Sequence, residues 1–108
     1  MTATADHWSP VLESANAARS SAAAAHAVAA ARRALPVLAG RRRLDEAVQQ
    51  WIQVLAHRIE NPHMTFAELG ASMPTPLTKN AYAALLRRAL RAAERDIAAS
   101  QRISQVGE

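Results

Sequence analysis

Cysteine is absent from this 108-residue chain, which excludes disulfides and thiolate metal sites and suits a reducing cytoplasm. Glycine occurs three times, at the isolated positions Gly40, Gly70 and Gly107, so no glycine-rich loop is available to cradle a phosphate. Aromatic side chains are few: Trp8, Trp51, Phe66 and Tyr82. No apolar run approaches the roughly 20 residues that span a bilayer, because the alanine-rich stretch from Ser20 to Ala31 is too short and too weakly apolar. The first residues lack a charged segment followed by an apolar one, so no signal peptide is read there.

Lysine is nearly absent as well. Its one representative, Lys79, stands against twelve arginines, and the balance leaves a net charge of +4 and an isoelectric point near 11.0. A small basic domain is the electrostatic footprint of a nucleic-acid binder. Half of the residues are nominally hydrophobic, but alanine dominates that share, and the large apolar side chains are concentrated between Leu44 and Ile97. A compact unit of about 50–60 residues is marginal alone. Support from a long N-terminal helix, or from a second copy, is therefore expected.

The chain divides by composition. Residues 1–7 are small and polar, and residues 1–8 read as a disordered arm. Ser9-Pro10 is a helix start, a capping side chain followed by proline at the first helical position. Apolar residues then recur every three or four positions through Val11, Ala15, Ala18, Ala22, Ala25 and Val28 or Ala29, which makes residues 9–36 an alanine-rich helix. Such a helix forms readily but has little surface to bury. It reads as a solvated connector, and its small-residue face also permits a homodimer seam. Pro36 is expected to break or bend it, Gly40 to end the segment, and residues 37–43 to form a basic linker. The linker holds Arg41, Arg42 and Arg43, either an arm for phosphates or a minor groove or a solubilising run.

From residue 44 to 99 the pattern is that of a small helical domain. Val48, Trp51, Ile52, Leu55 and Ile59 form the stripe of an amphipathic helix, opened by Asp45 and Glu46, with Trp51 as a core anchor. Asn61-Pro62 stops that helix. Thr65-Phe66-Ala67-Glu68 has capping-box spacing and opens a short second helix. Met73-Pro74-Thr75-Pro76-Leu77 cannot be helical throughout, and Thr78 is placed to cap a third helix from Lys79. On that helix Tyr82, Leu86, Ala89 or Leu90, Ala93 and Ile97 are the apolar set, while Arg87, Arg91 and Arg95 recur on another face beside Arg88. Glu94 and Asp96 are placed to pair locally with that stripe, and residues 100–108 read as a fraying tail. Two helices joined by a tight turn, the second one basic, form the pattern of a helix-turn-helix reader of DNA. The fold expected is all-α, a long helix followed by a three-helix helix-turn-helix domain.

The run T-F-A-E-L-G, then P-T-P-L-T-K-N-A, then L-L-R-R resembles the C-terminal helix-turn-helix domain of the WhiA family of bacterial transcription regulators. That domain is in turn similar to the promoter-reading region of primary sigma factors. The likeness covers roughly residues 15–95, since Ala15-Asn16-Ala17-Ala18-Arg19-Ser20 and the alanine-rich helix resemble the connector preceding the family's domain. The family's large N-terminal domain, similar to homing endonucleases, is read as having no counterpart here. The resemblance implies double-stranded DNA as partner, transcription regulation in sporulation or cell division in an actinobacterium-like host, and a cytoplasmic, nucleoid-associated location. It departs from the family at Ala83-Ala84-Leu85, where WhiA proteins commonly carry polar or basic residues.

In this class of motif the first exposed side chains of the second helix reach base edges. Lys79 can donate to guanine and Asn80 can pair with adenine. Thr78 serves as cap and phosphate ligand, and Thr65 opens the first motif helix toward the opposite phosphate backbone. Arg87, Arg88 and Arg91 are assigned to phosphates, with Arg95 and Arg102 as surface charges. The rival reading is a protein-interaction module docking on RNA polymerase, a sigma factor or a full-length WhiA-type protein. No metal, cofactor or catalysis is expected. His57 and His63 are separated by a helix stop, His7 and His26 lie far off, and Asp45-Glu46 are explained by opening a helix.

Overall fold

The computed structural model describes residues 10–106, with side chains described from 21 to 102. The expected arm at 1–8 and the Ser9 cap lie outside the described residues. Four helices follow in order: α1 (Pro10–Ala39), α2 (Glu46–Glu60), α3 (Phe66–Ala71) and α4 (Lys79–Val106), with no strand among the described residues. The protein is all-α, a long helix followed by a three-helix unit.

α1 passes through Pro36 without ending there. Proline removes one helical hydrogen bond and crowds the preceding turn, at about 3 kcal/mol in a helix interior. Two neighbours offset that cost. Ala34 and Leu38 are buried on the core side, and Pro36 itself faces solvent. The last turn closes with the Gly40 amide donating to the Pro36 carbonyl at 3.0 Å. The basic linker is accordingly shorter than expected, and it begins after Ala39.

Nor is α1 a solvated connector along its whole length. It packs on α2 and α4, and Val28, Ala31, Ala34 and Leu38 are buried. Fully burying a leucine contributes about 1.5–3 kcal/mol, so the second half of α1 supplies the support that the small domain needs. From Ser21 to Ala27 the helix is exposed or half-buried.

α2 begins where the Asp45 carboxylate accepts from the Val48 amide at 3.0 Å, and ends where the Asn61 amide donates to the His57 carbonyl at 3.1 Å. Val48 and Leu55 of the expected stripe are buried, Trp51, Ile52 and Ile59 pack against the core, and Val54 is fully buried beside them. α3 has the expected capping box: Thr65 Oγ1 accepts from the Glu68 amide at 3.2 Å and the Glu68 carboxylate accepts from the Thr65 amide at 2.9 Å. Those hydrogen bonds hold the Glu68 pKa below the usual carboxylate range, the Thr65 backbone bond contributing most.

α4 lays Tyr82, Leu86, Ala89, Ala92 and Ala93 into the core. Ile97, expected in that set, is 38 % exposed. The helix also continues through Ser100 as far as Val106, where a fraying tail was expected.

Candidate nucleic-acid interface

The geometry of the motif depends on the corner between α3 and α4. Gly70 is buried, and its carbonyl accepts from the Leu77 amide at 2.8 Å, folding the proline-bearing segment back over α3. A Cβ at this position would run into the Leu77 carbonyl and lie 3.1 Å from that of Thr78. Only glycine lets the two strands of backbone approach so closely. Phe66 and Tyr82 then meet across the helix pair with ring centroids 6.0 Å apart.

The Tyr82 hydroxyl donates to the Val54 carbonyl at 2.7 Å, pinning α4 to the middle of α2. Burial pushes the Tyr82 pKa up to about 12. The corner between α2 and α3 is held by a residue that the sequence reading passed over. Arg58 is only 2 % exposed, and its Nη2 donates to the carbonyls of Asn61 and Met64 at 2.8 and 2.9 Å. Its desolvation lowers the guanidinium pKa from the ordinary value. A signal did exist, since Arg58 follows Val54 by four positions and so sits on the edge of the apolar stripe. Across the same corner His57 Nε2 and Ser72 Oγ lie 2.7 Å apart.

With those corners fixed, the start of α4 is presented to solvent. Thr78 caps it as expected: its Oγ1 accepts from the Ala81 amide at 3.1 Å and its carbonyl from the Tyr82 amide at 2.9 Å. Thr78, Lys79 and Asn80 are exposed, as are Arg87, Arg88 and Arg91. At about 100° per residue, Asn80, Ala84, Arg87 and Arg91 fall on one line opposite the buried Tyr82, Leu86, Ala89 and Ala93. Lys79 lies to one side of that line and Arg88 to the other. Ala83, Ala84 and Leu85 are half-buried, and Leu85 packs against the core. Of the three positions that depart from the family's pattern, only Ala84 stands on the outward line.

The Arg41–Arg43 run is divided. Arg41 is half-buried and ion-paired with Asp96 at 2.7 Å, so it is no part of a free arm, and Asp96 pairs across the fold and not with the local arginine stripe. Arg42 and Arg43 are exposed. Thr65 is exposed but already engaged by its capping box. Among the described residues no three His, Asp or Glu side chains gather as a metal site would require, and no helix is long and apolar enough to cross a membrane.

No curated protein and no solved structure compared with the chain matches it. The family model described as the WhiA C-terminal HTH domain matches residues 11–93. That span takes in all of α1 but its first residue, both corners and the outward face of α4, and the chain therefore belongs to the WhiA C-terminal helix-turn-helix domain family, a family of the DNA-binding regulator type.

Proposed function

We propose that the chain binds double-stranded DNA as a transcription regulator, with the start of α4 in the major groove. The observation that carries this reading is the line of Asn80, Ala84, Arg87 and Arg91 standing opposite the buried face of α4. Asn80 and Lys79 meet base edges at the groove floor, where an asparagine matches adenine and a lysine matches guanine. Arg87 lies about 10 Å further along the helix and Arg91 about 16 Å, at the usual 1.5 Å rise. The major groove is about 12 Å wide, so both reach the phosphate rims, joined by Arg88. Thr78 and the first amides of α4, which have no helical acceptor, receive a phosphate. Thr65 approaches the opposite backbone, and Arg42 and Arg43 add phosphate contacts from the linker.

On this reading the protein acts without catalysis or cofactor, in the cytoplasm on the nucleoid, in the sporulation or cell-division setting that the family suggests. A second reading is favoured by one observation, the alanine at position 84 that interrupts the outward line. There the same domain docks on a sigma factor, RNA polymerase or a WhiA-type protein, and the part of α1 before Val28 offers a seam for two copies.

Fluorescence anisotropy of labelled duplexes, one random and one promoter-like, separates the two across a salt series. DNA reading gives binding that weakens steeply with salt and a preference for one duplex that Lys79→Ala and Asn80→Ala abolish. Absent or non-selective binding at modest salt removes the operator-reader and leaves the docking module.

A further inference from the structure

A cleft of about 940 Å³ lies between the middle of α1 and the α2–α3 corner. The side chains that line its α1 wall between Ser21 and Ala29 are none of them longer than Val28. The facing wall includes Pro62, Met64 and Phe66. Among the described residues the cations Arg32 and Arg58 line the cleft beside His63, and no aspartate or glutamate does. Arg32 is exposed. Arg58 is buried, pairs with no carboxylate among the described residues, and keeps its Nε without any hydrogen-bond partner. A buried cation with an unmatched donor costs free energy that an arriving acceptor recovers.

We propose that this cleft docks an acidic amphipathic helix of a protein partner, with its apolar side chains between the alanine wall and Met64 and Phe66, and a carboxylate at Arg32 and Arg58.

The shape selects a helix. The alanine wall is about 12 Å long at the 1.5 Å rise, which matches two turns of a partner, and small side chains let helix axes approach toward 8 Å. This is the helix-in-groove mode of recognition. A small ligand fits less well, because such sites bury roughly 70–90 % of their ligand and this groove is open along one side. The charge selects the partner. A second copy of the chain brings another +4 to a cationic groove, and nucleic acid has no apolar face for the alanines. The cleft shares only Thr65 with the DNA-reading residues, so it leaves the start of α4 clear.

The test is an ¹⁵N-edited NMR titration of the full chain with a synthetic 16-residue helical peptide. It carries leucine at i, i+3, i+4 and i+7 with glutamates along the flanks, and a second peptide has lysine in place of each glutamate. The expected result is saturable shift changes confined to residues 21–32, 58 and 62–66, with the lysine peptide at least about tenfold weaker. Ala27→Trp, which fills the cleft, and Arg32→Glu, which reverses the exposed charge, each abolish binding while thermal melts show both variants folded. Equal binding of the two peptides, shifts elsewhere, or no saturable change overturns the proposal. So does sedimentation showing a dimer that Ala27→Trp dissolves, since the groove then belongs to a second copy.

Discussion

The Arg41 guanidinium grips the Asp96 carboxylate through two hydrogen bonds, Nε to Oδ2 at 2.7 Å and Nη2 to Oδ1 at 2.9 Å. The pair spans 55 positions of sequence and ties the linker after α1 to the far part of α4. Trp51 forms the floor beneath it, with Arg41 Cζ 5.9 Å from the ring centroid. The hydrogen bond to Asp96 holds the Arg41 pKa above its ordinary value, against the pull of desolvation. Arg41 belongs to the fold, and its position sets where Arg42 and Arg43 begin.

Breaking this pair is expected to cost little but to show coupling. Both side chains are about 30 % exposed, so solvent screens the attraction, and a coupling of roughly 0.5–1 kcal/mol is expected between Arg41→Ala and Asp96→Ala. Urea unfolding of the two single variants and the double variant measures it. If the single effects simply add, the pair contributes nothing. Trp51 fluorescence should change in Arg41→Ala, because the cation leaves the ring.

Gly70→Ala is expected to be among the most damaging small substitutions in the chain. The added methyl meets the Leu77 carbonyl, a backbone atom that cannot swing aside without opening the α3–α4 corner. A loss of about 3 kcal/mol, in the upper range for single changes, is expected by thermal or urea unfolding. By contrast Gly40→Ala meets only the Pro36 carbonyl at 3.2 Å and the Val37 carbonyl at 3.6 Å, and Gly40 is exposed. It should cost far less. Equal effects at the two positions would remove the steric argument.

Tyr82 gives an alkaline limit to stability. Its unfolded pKa is near 10.0 and its folded pKa about 12. A raised folded value means that the contribution is whole below pH 10 and is lost as pH rises toward 12, because the unfolded chain ionises first. Tyr82 is the single tyrosine, so phenolate absorbance near 295 nm reports it alone. The titration should be displaced upward from that of the urea-unfolded chain, and the melting temperature should fall over the same window. A midpoint near 10 in the folded protein would show that the ring is not buried as described.

Much of this was legible in the sequence, for identifiable reasons. Thr65 and Thr78 cap helices as their spacing indicates, and Asp45, read as an acid at the start of α2, caps that helix, because capping is local chemistry within three residues. The α2 stripe was legible because burial on one face imposes its period. What escaped depends on distant partners. Pro36 stays helical because Leu38 is buried two residues later. Asp96 looked like a local partner for the α4 arginines until the fold brought Arg41 to it. Arg58 drew no assignment from the sequence, and only the packed corner shows it inside. The α4 face was legible as two faces of one helix, whereas which of Ala83, Ala84 and Leu85 points outward required the core to be known.

That last distinction leads to a prediction with gain as well as loss. Each phosphate contact removed should lower the salt slope of DNA binding by about 0.9. Arg87→Ala and Arg91→Ala are therefore expected to weaken binding to random and promoter-like duplexes alike and to flatten the slope. Asn80→Ala should leave the slope unchanged and reduce only the preference between duplexes, by roughly 1–3 kcal/mol of discrimination. Ala84 stands on the same outward line, between Asn80 and Arg87, with no long side chain of its own. Ala84→Arg should steepen the slope and tighten binding, whereas Leu85→Arg, aimed at the core, should destabilise the fold and gain nothing. Anisotropy titrations at several salt concentrations measure both quantities. If Ala84→Arg leaves affinity and slope unchanged while the protein stays folded, the outward face of α4 is not the face that meets DNA.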